Sequence, residues 1–581
     1  MIASTQPCPK CGQEWVGAGP EGYSCRTCGL FDRESVSAQL PDEPAPQPVP
    51  DHGRSNSQAT RLIQLAASRA ELFRTPDGEA FAAIEIQGHR ETRAIRSPAY
   101  RIWLAQNFYK DEGKAAGGNA ISDAINALEG KALYEGDTKH VWTRVGEDDD
   151  GNIIIDLGTD RWDAIVVTPN GWRRVTVPDV HFRRGRTTAA LSLPEPGGSL
   201  EDIRRCINVK DDRQYHRVIG WVVGALRPRP PYPPLVLSSE HGSGKSVTVK
   251  CLRSLIDPSS LPLRALPKDE RDLAIAGKTN HVLAFDNVSH LPAWLSDALC
   301  RIATGEGWAT RKLYTDSDEE VFTFARPVIM TGIDDFVVAG DLLDRSLFST
   351  LPAIPPSERR QEDAVLDEFM RLRPRLFGAL LDALAMALHN RGRVWTDLPR
   401  MADFYTFVLN AEPALPWPAG SFSESFRENE ATAMDVAIEA STIAEPLIQL
   451  LDGLTEDWTG TSSELLSALD NQVSEALRRD RRWPKKAQVL SNHLRRIVPT
   501  LRKMGWSVRF ERENTTTRRR LISIGHLAEQ LDDQPLDDLD ASGSPLDERA
   551  DAAFESGMDT LDTLDSAPPS FEGDGWEEEI E

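Results

Sequence analysis

The sequence predicts a multidomain α/β protein that begins with a small metal-binding ribbon and ends in a disordered acidic tail. Three features indicate this organisation: two Cys-x-x-Cys pairs near the start, a glycine-rich loop after an apolar strand near the middle, and a basic region directly followed by an acidic one. With 581 residues, 40% of them hydrophobic, the chain is long enough for roughly three to five domains.

Composition and motif positions divide the chain further. We expect a zinc ribbon (1–35), a proline-rich linker (36–58), a small α/β accessory domain (59–195), a P-loop ATPase core with a helical lid (196–395), a helical connector (396–458), a winged helix (459–526) and the acidic tail (527–581). The chain has no apolar run long enough to cross a bilayer, and its first nine residues lack the basic and apolar parts of a signal peptide. These features predict a cytoplasmic protein with no membrane partner.

The cysteine pairs predict a structural zinc site. Cys8, Cys11, Cys25 and Cys28 form two Cys-x-x-Cys motifs, each followed by a glycine that permits a tight turn. Four thiolates at this spacing bind one tetrahedral Zn²⁺ and leave no open position for catalysis. The alternative is a pair of disulfides, which a reduced cytosol disfavours.

The accessory domain shows short alternating stretches and one helical stretch, which is typical of a small α/β fold. Its segments 172–174 and 181–186 interleave aromatic residues with arginines. Such a pattern fits contacts to nucleic-acid phosphates or, equally well, a solvated edge strand. We find no pair of carboxylates there that would indicate a polymerase or primase centre.

A phosphate-binding loop follows the apolar strand at 234–237. Its residues are spaced as in a Walker A motif, with serine in place of the first glycine: Ser239, Gly242, Gly244, Lys245 and Ser246. The glycines let backbone N–H groups face the β-phosphate, Lys245 supplies charge to the β- and γ-phosphates, and the Ser246 hydroxyl is suited to Mg²⁺. The motif therefore predicts an ATP and Mg²⁺ site.

Further candidate catalytic residues follow the next two predicted strands. Asp286 ends the strand at 281–286, where an aspartate that anchors Mg²⁺ belongs. Asn287 stands where a glutamate usually polarises the attacking water, and an asparagine cannot accept the proton. Gly332 follows the strand at 327–331, where a residue that senses the γ-phosphate is expected. Arg345 is a candidate to reach the nucleotide of a neighbouring subunit, and a structural ion pair with Asp344 is the alternative.

The order of these motifs resembles the AAA+ core of superfamily 3 helicases, and more closely the primase-like helicase ATPases of bacterial phages and integrative islands. The resemblance rests on the glycine loop, the Asp286 strand, residues 299–307 with 311–314, the strand at 327–331 and Arg345, and it covers about residues 199–351. In that family the segment matching 304–314 forms a hairpin in the central pore of a hexamer. The resemblance therefore implies a homo-oligomer, a hexamer, with Arg311 and Lys312 on single-stranded DNA.

A long helical pattern follows the core at 358–389, which we interpret as a lid that Pro374 bends or breaks. The pattern at 459–524 then reads helix, helix, strand, turn, strand, with Ser462 and Ser491 as helix caps. This order predicts a winged helix. Residues 478–520 contain fifteen Lys or Arg residues and only three acidic residues.

The charge falls on the second helix and the wing, which such a domain presents to duplex DNA. The candidate DNA-binding residues there are Lys485, Lys486, Arg495, Arg496, Arg518 and Arg519. A merely solvated basic face is the alternative. The tail carries nineteen acids and one arginine from 529 onwards, and it either solubilises the protein, docks a replication-protein partner or competes with DNA for the basic domain.

Three hypotheses for function follow. The first is an ATP-driven DNA helicase or replication initiator of a phage or mobile element that encircles DNA as a ring. The second is a primase or primase-helicase that makes primers on single-stranded DNA. The third is an ATP-gated DNA-binding regulator without helicase activity, which Asn287 keeps in consideration.

Overall fold

A computed structural model describes residues 57–526 except 240–241, 312–318, 323, 334–335, 338–339, 455 and 513–518. It also gives the backbone of an antiparallel pair, β1 (Trp15–Gly19) and β2 (Gly22–Cys25), which lies between the two cysteine motifs. The predicted zinc ligands Cys8, Cys11 and Cys28 and the side chain of Cys25 lie outside the described residues. The contacts divide the chain into one unit of residues 1–527 and a second of 528–581, which also lies outside them.

The first described layer is a four-stranded sheet with helices on it. Its elements are α1 (Gln58–Arg69), β3 (Ala70–Arg74), β4 (Ala80–Ile86), β5 (His89–Ala94), α2 (Pro98–Glu112), α3 (Gly118–Tyr134) and β6 (Asp137–Thr138). The strand order is β5–β4–β3–β6. Ser57 and Ser97 cap α1 and α2 by accepting backbone N–H groups, and the helices bury their apolar faces in one core with β4.

A second group of short strands follows. These are β7 (Val141–Trp142), β8 (Val145–Glu147), β9 (Ile153–Asp156), β10 (Ala164–Thr168), β11 (Gly171–Val175) and β12 (His181–Phe182). Strands β8 to β11 form an antiparallel sheet in chain order, and β12 pairs with β7. One face of this sheet shares a continuous core with the next domain.

The central domain is built on a parallel sheet. After a 3-10 helix (Leu200–Arg205) come α4 (Asp212–Ala225), β13 (Leu235–Ser238), α5 (Lys245–Ile256), α6 (Glu270–Thr279), β14 (Leu283–Val288), α7 (Ala293–Thr304), β15 (Trp308–Arg311), β16 (Glu319–Phe322), β17 (Val328–Gly332), α8 (Gly340–Leu343) and β18 (Leu347–Thr350). The sheet order is β14–β17–β13–β18, and β15 and β16 form a separate hairpin. Buried apolar strands of this kind need helices on both faces.

Helices then pack on the central domain: α9 (Glu362–His389), α10 (Ala402–Ala411) and α11 (Ser421–Ala440). Helix α12 (Ala444–Asp452) follows and is buried in the core of the last domain instead. Of the two effects predicted for Pro374, a bend or a break, the break is wrong, because α9 runs through it. Most residues of the helix from Leu376 to Leu388 are buried, and the Glu195 N–H donates to the Pro374 carbonyl at 3.0 Å. Rather than a separate lid, α9 is part of the core between the central and the β8–β11 sheets.

The last described domain contains β19 (Trp458–Thr461), α13 (Ser462–Gln472), α14 (Glu475–Arg479), α15 (Ala487–Lys503), β20 (Trp506–Arg512) and β21 (Arg520–His526). Its antiparallel sheet has the order β19–β21–β20. Both predicted caps are wrong: Thr461 caps α13 in a capping box with Glu464, and Ser491 lies inside α15.

The predicted mixed α/β class is confirmed by these elements. In the part of the chain that the structure describes, no helix is both long and apolar enough to cross a membrane.

Candidate nucleotide site

The glycine loop connects β13 to α5 at the carboxyl edge of the parallel sheet. Strand β13 is buried and pairs with β17 on one side and β18 on the other, so the loop starts from a fixed position. Gly242 and Gly244 both have φ of +78°, a left-handed conformation that glycine adopts without steric cost. Helix α5 begins at Lys245 directly after Gly244, so its first N–H groups face the loop. This is the backbone geometry of an anion site.

Two serine hydroxyls and one asparagine amide hold the loop in place. Ser239 Oγ and Ser243 Oγ lie 2.5 Å apart, so serine at the first motif position is used in a contact that glycine could not make. Asn208 donates from one amide nitrogen to the carbonyls of Ser243 at 2.9 Å and Pro352 at 2.6 Å. Sequence reasoning missed Asn208, because it precedes the motif by more than thirty residues and belongs to no recognisable pattern.

Lys245 lies at the start of α5 with its ammonium turned back over the loop. Its Nζ donates to the Ser239 carbonyl at 2.8 Å. Partial burial lowers the pKa of Lys245, and the nearby carboxylate of Asp286 opposes that shift. The ammonium therefore lies inside the loop, where a bound phosphate group would be.

Ser246 and Asp286 meet at the same edge of the sheet. Ser246 Oγ donates to Asp286 Oδ2 at 2.9 Å, across forty residues of sequence. A hydroxyl beside a carboxylate, both next to the glycine loop, is a donor set that suits Mg²⁺ with a nucleotide phosphate. The structure thus brings these two sequence-predicted residues together.

Thr331 completes this group and was not predicted as a site residue. Its hydroxyl donates to Asp286 Oδ1, and it accepts the backbone N–H of Asn287 at 3.1 Å. Thr331 is fully buried near the end of β17, which lies beside β14. A polar residue that ends an otherwise apolar buried strand was the available signal.

Asn287 has an exposed side chain and a φ of +58°. Asparagine tolerates this left-handed conformation better than glutamate does. The strand pairing of β14 with β17 is irregular between Phe285 and Val288, which places the unusual residue at the sheet edge next to Asp286. Asn287 can therefore orient a water molecule there, but it offers no base.

Gly332 has a packing reason. A Cβ atom at this position would lie 2.1 Å from a ring carbon of Phe336 and 2.6 Å from the Val288 carbonyl oxygen. A γ-phosphate-sensing side chain could not be accommodated at this position. A further cation beside the loop is Arg359, whose guanidinium nitrogen would be 3.3 Å from a Cβ on Gly242.

Arg345 lies at the other edge of the sheet. It comes just before β18, and β18 runs parallel to β13, so Arg345 is at the amino edge while the glycine loop is at the carboxyl edge. Its guanidinium is 3.2 Å from the Asp341 carboxylate and the side chain is 12% exposed. The alternative of an ion pair with Asp344 is wrong, because Arg345 pairs with Asp341, while Asp344 contacts Arg400 and Lys503.

The predicted DNA-binding residues are placed as follows. Arg311 ends β15, with a side chain that is not described, and Lys312 and Arg518 lie outside the described residues. The other five are exposed on the last domain: Lys485, Lys486, Arg495, Arg496 and Arg519. Among them, Arg495 lies over the Phe510 ring at 4.0 Å, which joins α15 to β20.

The aromatic and arginine pattern of the accessory domain is largely structural. Trp172 donates to Asp382 at 2.8 Å, and Arg174 forms an ion pair with Asp163. Arg184 pairs with Asp156 and stacks on a tryptophan ring. These side chains therefore have partners within the protein, and β11 is an edge strand of its sheet, as the second alternative expects.

Two protein-family models match segments of the chain. Residues 200–416 match the family model of the actinomycete integrative conjugative element replication protein, and residues 443–535 match the model of the AICE RepA C-terminal domain. The chain resembles this replication protein over both segments. The matches support a role in DNA replication and an association with a mobile element. The first segment contains the whole glycine-loop site, and the second contains the basic domain.

No curated protein matches the chain. Among solved structures, an apo A form of the NrS-1 C-terminal region is 11% identical with a TM-score of 0.35, covering 80% of this chain and 98% of that one. A second apo structure of the same region is 11% identical with a TM-score of 0.33, covering 81% and 99%. Similarity at these scores carries no argument about fold.

Proposed function

We propose that the chain is an ATP-driven DNA helicase or replication initiator of a mobile element that acts as a ring of identical subunits. The observation that carries the proposal is the convergence of Ser246, Asp286 and Thr331 beside the glycine loop. The replication-protein matches support a DNA-directed role for that ATPase. A hexamer with single-stranded DNA in its pore is the assembly that we propose.

In this mechanism each residue has a defined task. The glycine-loop N–H groups and Lys245 bind the β- and γ-phosphates, and Ser246 and Asp286 hold Mg²⁺. Thr331 fixes the carboxylate of Asp286, and Asn287 orients water. Arg345 is too far along the sheet to serve its own loop, since the two sites occupy opposite ends of parallel strands. We therefore assign it to the nucleotide of the adjacent subunit.

The basic last domain supplies the second DNA contact. Its exposed cations on α15 and β21 are suited to duplex phosphates, in the manner of a winged helix. Zn²⁺ on Cys8, Cys11, Cys25 and Cys28, and docking of a replication partner by the acidic tail, belong to the same proposal. Metal analysis should give about one zinc per chain, and Cys25→Ser with Cys28→Ser should remove it.

The decisive test combines turnover and assembly. ATP hydrolysis should increase on addition of single-stranded DNA, and particles prepared with ATP and DNA should be ring-shaped in electron micrographs. A partially duplex substrate should be unwound only with ATP. Turnover without rings or unwinding would instead favour an ATP-gated regulator. Asn287 supports this second candidate, because an asparagine cannot take the proton of the attacking water.

A further inference from the structure

A cavity lies between the accessory domain and the central domain, away from the glycine loop. It encloses about 310 Å³, within the range of sites that hold one small ligand. The accessory domain contributes His140, Trp142 and Arg183, and the central domain contributes Arg229, Lys278 and Phe324. Since His281 and Tyr232 also line it and precede β14 and β13, the cavity opens at the amino edge of the parallel sheet.

Cations from both domains meet around this cavity. The Glu79 carboxylate is shared by Arg183 and by Lys278, with Lys278 at 3.3 Å, so one carboxylate faces two positive charges. Arg229 reaches Glu147 but its side chain remains 73% exposed. An ion pair of so exposed an arginine is weak, and phosphate groups can compete with the carboxylates for Arg229 and Lys278.

Arg326 adds a fixed positive charge at the back of the cavity. Its guanidinium donates to the carbonyls of Gly277 at 2.8 Å and Ala325 at 2.7 Å, and to the Thr143 hydroxyl at 3.3 Å. Its contacts link the two domains and hold the cavity wall rigid.

The aromatic lining suits a base. Trp142 is half-buried and its ring is packed against the Gly146 backbone, where a Cβ would lie 2.5 Å from the ring. Phe324 follows the β15–β16 hairpin by two residues, so the cavity adjoins the base of that hairpin. Cations beside aromatic rings are the usual composition of a single-strand binding groove, and both Trp142 and Phe324 are partly exposed where they line the cavity.

We propose that this cavity binds one nucleotide unit of single-stranded DNA, with its phosphate at Arg229 and Lys278 and its base against Trp142. The inference rests on the proposed DNA-directed function and gives the accessory domain a role in it. A second free nucleotide is the less favoured occupant, because the cavity adjoins the hairpin rather than the glycine loop.

The test measures binding of a fluorescein-labelled oligo(dT) by anisotropy at several salt concentrations. Arg229→Ala combined with Lys278→Ala should weaken binding roughly tenfold at low salt, and the slope of log affinity against log salt should fall by about 0.7 for each lost phosphate contact. Arg96→Ala is the matched control, since Arg96 is an exposed arginine, 64% accessible and paired with Glu129, and does not line the cavity.

ATP turnover without DNA should be unchanged in all of these variants, which checks that they fold. If the double variant binds as tightly as Arg96→Ala while the unmodified chain binds DNA and hydrolyses ATP, the cavity proposal is overturned and the proposed function stands. If the unmodified chain binds no single-stranded DNA, both fail. Photo-crosslinking with iodouracil-substituted DNA should label residues 140–143, and labelling only elsewhere would also overturn the cavity proposal.

Discussion

Lys503 Nζ lies 2.8 Å from Asp344 Oδ1, so the last turn of α15 in the basic domain contacts the segment that carries Arg345. Arg400 bridges Asp344 and Asp341, at 3.6 and 2.7 Å, and Asp341 in turn holds Arg345 at 3.2 Å. A continuous set of ion pairs therefore connects a predicted DNA-binding helix to the proposed arginine finger. Within the proposed function, it is a physical route by which duplex binding can affect ATP hydrolysis.

Lys503→Ala should reduce the stimulation of ATP turnover by duplex DNA by roughly fivefold or more, the lower range of allosteric coupling, and leave the basal rate unchanged. Arg502→Ala is the matched control, because it removes an exposed cation one residue away. Turnover is measured with and without duplex DNA for both variants. An equal loss in both would show that only net charge matters. Asp344→Asn should add no further loss to Lys503→Ala if the pair acts as a unit.

Lys245→Ala should lower ATP hydrolysis by roughly a hundredfold or more, since it removes the charge that faces the phosphates. The fold should persist, because the residue is only half-buried and its bond to the Ser239 carbonyl is one of several that hold the loop. Circular dichroism and thermal unfolding check the fold, and Lys250→Ala, which loses a surface ion pair with Glu362, is the control. Retained turnover in Lys245→Ala would refute the nucleotide site.

Thr331→Val should impair both stability and turnover. The substitution keeps the shape of a fully buried side chain but leaves the Asn287 N–H without its acceptor, at a cost of about 1–3 kcal/mol. Asp286 also loses a donor, so its position beside Ser246 is less fixed. Urea unfolding and the Mg²⁺ dependence of hydrolysis measure the two effects. Thr331→Ser should be the milder change in both assays because it keeps the hydroxyl, whereas a merely steric role would make valine harmless and serine the defective variant.

Asn287→Glu should raise the rate of hydrolysis if the missing base limits turnover. The same change should reduce stability by about 1 kcal/mol, because glutamate is less tolerant of φ near +58°. Asn287→Gly relieves the backbone and removes the side chain, so it separates the two effects. A glutamate variant no faster than wild type, at equal folded fraction, would indicate that the proton is accepted elsewhere.

The sequence predicted those parts of the site that local patterns encode. The loop from Ser239 to Ser246 follows from glycine spacing after a strand, and Asp286 follows from a carboxylate at a strand end. Thr331 and Asn208 act through contacts between segments that are distant in sequence, which no local pattern reports. The partner of Arg345 was missed for a related reason, since Asp344 is its neighbour in the chain, whereas Asp341 comes within reach only because it lies four residues earlier in a helical segment.

The fold shows the same division between local and tertiary effects. The parallel strands were predicted from apolar runs, but the continuity of α9 through Pro374 depends on burial against two sheets. At the start of α13, Thr461 and Ser462 are both acceptable caps, and the pairing of β19 with β21 fixes which residue leaves the strand. Local sequence propensity indicates which residues can begin or end a helix, and tertiary packing determines which of them does so.

We place Arg345 at the boundary between subunits. Its removal should lower turnover by roughly a thousandfold, as for arginine fingers in related phosphoryl transfer, and hardly change nucleotide affinity in its own subunit. Because the guanidinium pairs with Asp341, Asp341→Asn is the control for a merely structural role. If Arg345 only supports the local fold, both variants should lose stability together and neither should affect turnover selectively.

The decisive form of this experiment mixes Arg345→Ala chains with Lys245→Ala chains, each nearly inactive alone. In a mixed ring some interfaces combine an intact Lys245 with an intact Arg345 from the neighbour, so ATP hydrolysis should partly return and depend on the mixing ratio. Mass spectrometry of the intact assemblies confirms that mixed oligomers form. If they form and no ratio restores hydrolysis, Arg345 does not act across subunits. Arg345 would then have only a structural role, since an arginine at the amino edge of β18 cannot reach the glycine loop of its own subunit at the carboxyl edge of β13.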